Sequence, residues 1–126
     1  MKPSYANLPK GSCSEVADVL ERIADKWAIS IIIALADGSQ RFSELKRTIE
    51  NVSQKMLTVT LRNLERDGFV ARTVTPTIPP RVDYELTALG RDLLPPLEAL
   101  ADWAIARRAD IHSARARFEQ RVEATK

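Results

Sequence analysis

The sequence contains one cysteine and one histidine. A single cysteine excludes an internal disulfide, which suits a reducing compartment. His112 has no cysteine near it, so no metal site is expected. No glycine-rich stretch has the spacing of a phosphate-binding loop. The longest apolar run, WAISIIIALA, is about ten residues, too short to span a bilayer. It lies between charged helical segments and far from the N-terminus, which argues against a signal peptide. Carboxylate pairs such as Glu65 and Asp67 lack the apolar surroundings that general acid–base work requires. No enzymatic activity, cofactor or membrane association is expected, and the default address is cytoplasmic.

What is present describes one compact domain. The chain has 126 residues, 44% of them hydrophobic and 29% charged, enough for a modest core without a disordered composition. Net charge is only +2, but it is unevenly spread. Residues 41–81 carry a net +4 and the remainder −2. A basic middle with acidic flanks suits a nucleic-acid face.

Residues 1–12 have two prolines, a glycine and no periodicity, and are expected to form a loose arm. Val16, Val19, Leu20, Ile23 and Trp27 fall at helical spacing, with Ser14 as the expected N-cap. The run AISIIIALADG is apolar nearly all round, as the buried centre of a small domain would be, and stops at Gly38. A short helix capped by Ser43 should end near Ile49, and ENV should turn the chain. A longer helix follows, capped by Ser53 and closed by Gly68. Strands are expected over 70–75 and 82–86, with a short extended piece near 40–42. Thr87 should cap a last helix carrying Leu89, Leu93, Leu97, Leu100 and Trp103, kinked at Pro95 and Pro96.

This order is that of a mainly α (α+β) winged helix-turn-helix. At about 100° per residue, Leu57, Leu61 and Leu64 lie within about 60° of one another and form the inward stripe, with Thr60 at its margin. Lys55, Val59, Arg62 and Arg66 lie opposite, and Gln54 and Thr58 toward one flank. Such a face offers donors to guanine and adenine edges and a methyl group to thymine. Lysines and arginines also serve simply to solvate a helix; the adjoining turn and hairpin favour the DNA reading.

The stretch PTIPPRVDY joins the two strands. Its prolines lower the entropy lost by a loop held out in water. Arg81 presents a cation to a phosphate or a narrow minor groove. The alternative is that Arg81 pairs with Asp83 or Glu85 within the hairpin, and that the prolines protect a sheet edge.

From about Cys13 to Trp103 the chain resembles the HxlR-type winged helix-turn-helix regulators. The resemblance rests on DKWAISIIIAL, GSQRFSELKRTIENVSQKMLTVTLRNLERDGFVAR and PTIPPRVDYELTALGRDLLPPLEALADW. It implies a cytoplasmic homodimer that binds double-stranded DNA at an inverted-repeat operator and answers to oxidants, electrophiles or a small-molecule effector. By position, Ser53 opens the recognition helix, Gln54, Lys55, Thr58 and Arg62 are the foremost contacts, and Arg81 is the wing residue. The family commonly has Cys-Pro before its first helix, where this chain has Cys13-Ser14, and some members use that cysteine as a thiol sensor. A thiolate there would be stabilised by the helix N-terminus; a lone cysteine is otherwise a small buried hydrophobe. Two apolar stripes, one through Val16, Val19, Leu20 and Ile23 and one running from Leu89 to Phe118, exceed what one small domain covers. A dimer made by the first helix and the region from about 87 to 126 is therefore expected. The competing function is a winged helix that only docks an acidic protein partner.

Overall fold

The computed structural model describes residues 12–125. The arm expected over residues 1–12 thus lies outside the described residues, apart from Ser12. Five helices and three strands follow in the order α1 (Ser12–Ile23), α2 (Lys26–Ala34), β1 (Gln40–Arg41), α3 (Phe42–Thr48), α4 (Gln54–Arg66), β2 (Val70–Thr75), β3 (Arg81–Leu86) and α5 (Ala88–Ala124). The chain divides into two compact units, Met1–Asp92 and Leu93–Lys126.

The first unit is a winged helix-turn-helix. Ile31, Ile32, Leu35, Leu45, Leu57, Leu61 and Val70 are its fully buried large side chains. At roughly 1.5–3 kcal/mol for each such side chain, they are its main favourable contribution. They come from α2 and its C-cap, α3, α4 and β2, elements that pack on one another in this unit. The apolar run read from the sequence is therefore the centre of the domain.

Three helix starts differ from expectation. The stripe from Val16 to Trp27 is not one helix, because Asp25 adopts an extended backbone and begins a new one. Its carboxylate accepts hydrogen bonds from the Trp27 and Ala28 amides at 2.7 and 3.3 Å. Trp27 belongs to α2, with the Lys26 ammonium 4.5 Å from its ring centroid. The same early start applies at α1, where Ser14 lies inside the helix and not at its cap. In α3 the cap is Arg41, not Ser43; the Glu44 carboxylate accepts the Arg41 amide at 3.0 Å.

The sheet is antiparallel, with strand order β1-β3-β2. Val70 pairs with Leu86, Arg72 with Tyr84 and Val74 with Val82. Side chains alternate along a strand, so these six share one face. Arg81, Asp83 and Glu85 belong to the other.

In the second unit α5 continues through Pro95 and Pro96 without a break in its helical assignment. Each proline removes one helical N–H, leaving the carbonyls of Arg91 and Asp92 without their usual donors. The boundary between the compact units falls at that turn. Leu100, Trp103, Ile105, Phe118 and Val122 are all exposed.

The start of α5 is set by a close approach. The Thr87 hydroxyl accepts the Gly90 amide and donates to the Gly68 carbonyl, and the Thr87 amide donates to the Phe69 carbonyl at 3.1 Å. A Cβ on Gly90 would lie 2.2 Å from that Phe69 oxygen, a backbone atom with little freedom to move. Gly90→Ala should therefore cost about 1–3 kcal/mol of stability. Urea unfolding would show a lower midpoint at unchanged slope; a midpoint equal to wild type would mean the contact relaxes freely.

Candidate nucleic-acid interface

The helix-turn-helix consists of α3, the connection Ile49–Ser53 and α4. ENV is the centre of this connection, which is longer because Ile49 and Ser53 are caps and not helical residues. Ile49 and Val52 are buried and anchor the turn, while Asn51 takes the left-handed conformation at φ 67°. Asparagine tolerates that region better than most residues. The Ser53 hydroxyl accepts the Met56 amide at 3.0 Å, as an N-cap should. At the other end Phe69 N–H donates to the Leu64 carbonyl and Gly68 N–H to that of Glu65. With Gly68 at φ 85°, this is a Schellman closure. Both ends of α4 are thus fixed by specific backbone bonds.

Between those ends, Leu57, Thr60, Leu61 and Leu64 are buried, the stripe expected from spacing. The buried Thr60 hydroxyl is satisfied by the Met56 carbonyl at 2.7 Å. Gln54, Lys55, Thr58, Val59, Arg62 and Arg66 are exposed. The described residues contain two ion pairs, Arg22–Asp67 and Arg81–Asp83. Neither involves Lys55, Arg62 or Arg66, whose charges are available to a partner. The Thr58 hydroxyl donates to the Gln54 carbonyl at 2.8 Å, so toward a ligand it presents lone pairs and a methyl group.

The exposed face of α4 borders two different concavities. Thr58 and Arg62 line one together with Arg72 of β2 and Tyr84 of β3. Val59 and Arg66 line another whose walls include Glu21, Asp25 and Asp67. The first is cationic and the second is rimmed by carboxylates. Arg72 and Tyr84 were not among the site residues expected from sequence. The available signal was strand alternation: each lies two residues from a core position, Val70 or Leu86.

Arg81 does not join this cluster. It opens β3, on the other face of the sheet, and its Nε donates to an Asp83 carboxylate oxygen at 3.1 Å. The in-hairpin pairing weighed from sequence is therefore present. Its side chain is still 51% exposed, and such pairs are worth roughly 0–1 kcal/mol, so little holds the guanidinium there. The loop 76–80 is exposed throughout, and its Ile78–Pro79 bond is cis.

Cys13 is placed in the first turn of α1, one step inside the helix and not before it; its side chain lies outside the described residues. Among the described residues, no helix is long and apolar enough to cross a membrane.

A family model described as HxlR-like helix-turn-helix matches residues 22–111. The chain belongs to that HxlR-like family. Over 86 residues it is 45% identical to the HTH-type transcriptional regulator YtfH of Escherichia coli (strain K12), covering 68% of each chain. Among solved structures it is similar to the putative transcriptional regulator ytfH from Salmonella typhimurium, with TM-score 0.73 and 40% identity over 80% of this chain and 90% of that one. It is also similar to the redox regulator HypR in its reduced form, with TM-score 0.74 and 37% identity over 79% and 98%. This HxlR-like chain is a helix-turn-helix transcriptional regulator, and the resemblance carried by the hairpin and recognition-helix motifs is borne out.

Proposed function

We propose that this regulator binds an inverted-repeat operator as a homodimer, with α4 in the major groove, and that its occupancy responds to oxidants. The observation that carries the DNA reading is the face of α4 on which Gln54, Lys55, Thr58 and Arg62 are exposed together, with the two cations unpaired among the described residues. A rigid helix capped at both ends can hold such a set at fixed spacing along a groove. Arg66 is a peripheral member, because it borders the carboxylate-rimmed groove. Arg81 acts from the hairpin, exchanging Asp83 for a backbone phosphate.

Exposed apolar side chains support the dimer. Val16, Val19 and Leu20 of α1 are each about half exposed, as are Leu100, Trp103 and Phe118 of α5. Patches of this kind mark an interface, and a two-fold axis would set the paired helices in successive major grooves, about 34 Å apart. Sedimentation of the full chain should return twice the monomer mass, and a monomer at micromolar concentration would contradict the dimer. On DNA from the regulator's own promoter region, Lys55→Ala and Arg62→Ala should each weaken binding by about 1–3 kcal/mol and relax preference at one position per half-site. Unchanged specific and non-specific affinity in both variants would remove these residues from the interface.

The oxidant response rests on similarity to HypR, a redox regulator by name, and on Cys13 being the one thiol of the chain. A disulfide from Cys13 must reach a second subunit or a small thiol. Diamide should alter operator binding by wild type and leave Cys13→Ser unaffected; equal behaviour of the two would end the redox reading.

A further inference from the structure

We propose that Arg72, with the Tyr84 hydroxyl, seats one backbone phosphate of duplex DNA in the cavity between α4 and the hairpin, next to Arg62 of α4. This rests on the DNA-binding reading above and adds a contact from the body of the sheet, beside the recognition helix and away from the loop tip.

The cavity measures about 350 Å³ and is lined by Thr58, Leu61, Arg62, Glu65, Arg72 and Tyr84. Arg72 and Tyr84 are directly paired across the hairpin, so their side chains stand together on the face that continues from the buried pair Val70 and Leu86. That face is turned toward α4, which packs on β2. Among the described residues, neither guanidinium is in an ion pair. Arg62, Arg72 and Tyr84 therefore line one concave site, and its one carboxylate, Glu65, is in no ion pair with either arginine.

The charge balance selects the ligand. Two arginines and Glu65 leave one net positive charge, which matches the single negative charge of a phosphodiester. Arginine supplies paired N–H donors suited to phosphate oxygens. The Thr58 hydrogen is committed to the Gln54 carbonyl, so that end of the cavity is poor in donors and the anion sits toward Arg62 and Arg72. The site lies beside the outward face of α4, where a strand bordering the occupied groove would run. A phosphate held there fixes the depth and rotation of α4 in the groove while reading no base.

The test needs no operator, because the contact is independent of sequence. Binding of the full chain to a random-sequence duplex is measured against salt for wild type, Arg72→Ala, Tyr84→Phe and Glu65→Gln. Arg72→Ala should reduce the slope of log K against log salt by about 0.9 for each protomer bound. Tyr84→Phe should keep the slope and weaken binding about two- to tenfold, the loss of one hydrogen bond. Glu65→Gln should tighten binding. Wild-type affinity and slope in Arg72→Ala, with wild type binding normally, would overturn the phosphate seat and leave the regulator reading intact. Failure of wild type to bind any duplex would overturn both. Titration with inorganic phosphate separates a free anion from the DNA backbone. Heat of phosphate binding that disappears in Arg72→Ala, with an unaltered DNA salt slope, would overturn the proposal in favour of a small anionic ligand.

Discussion

Burial of one stripe of α4 governs the rest of the domain. Leu57, Leu61 and Leu64 are essentially removed from water, and α4 packs on α2 and β2. At roughly 1.5–3 kcal/mol apiece, those three side chains outweigh any single polar contact on the opposite face. Their burial fixes the rotation of the helix about its axis. Because the rotation is fixed, Lys55, Thr58 and Arg62 point outward whether or not a ligand is present. Ser53 and Gly68 then fix where the helix begins and ends. The surface proposed to meet DNA is thus a consequence of the core and needs no rearrangement to form.

Electrostatics divides that surface. One side of α4 opens on Arg72 and Tyr84, the other on Glu21, Asp25 and Asp67. Polyanionic DNA would be drawn to the first side and repelled from the second, which orients the domain on the duplex before any base is read. The Arg22–Asp67 pair at 3.3 Å joins α1 to the C-cap of α4 and neutralises part of the acidic side.

Periodicity placed the inward stripe of α4, and residue type placed both of its caps, the two hairpin strands and the Thr87 start of α5. Spacing failed at Asp25, where a side chain that caps the next helix broke a stripe that looked continuous. It failed again at Arg41, where the cap comes from the backbone and Glu44 replaces the expected serine. The role of Gly90 is hidden in sequence, since its reason is a backbone oxygen twenty-one residues away in the chain. That Arg72 and Tyr84 stand together beside α4 is hidden for a related reason: it comes from strand register, and register is a property of pairing. Arg81 was legible as an exposed cation, but its alternation places it on the sheet face opposite the α4 cluster.

The central claim is that the outward face of α4 and the adjoining face of the hairpin form one DNA surface. The most direct measurement is a titration of isotope-labelled protein with duplex DNA, followed by amide and arginine side-chain NMR signals. Large shifts should appear over 54–62 and at Arg72 and Tyr84, with small ones at Glu21 and Asp25 on the acidic side of α4. Shifts concentrated at Glu21 and Asp25, with 54–62 unmoved, would contradict the account.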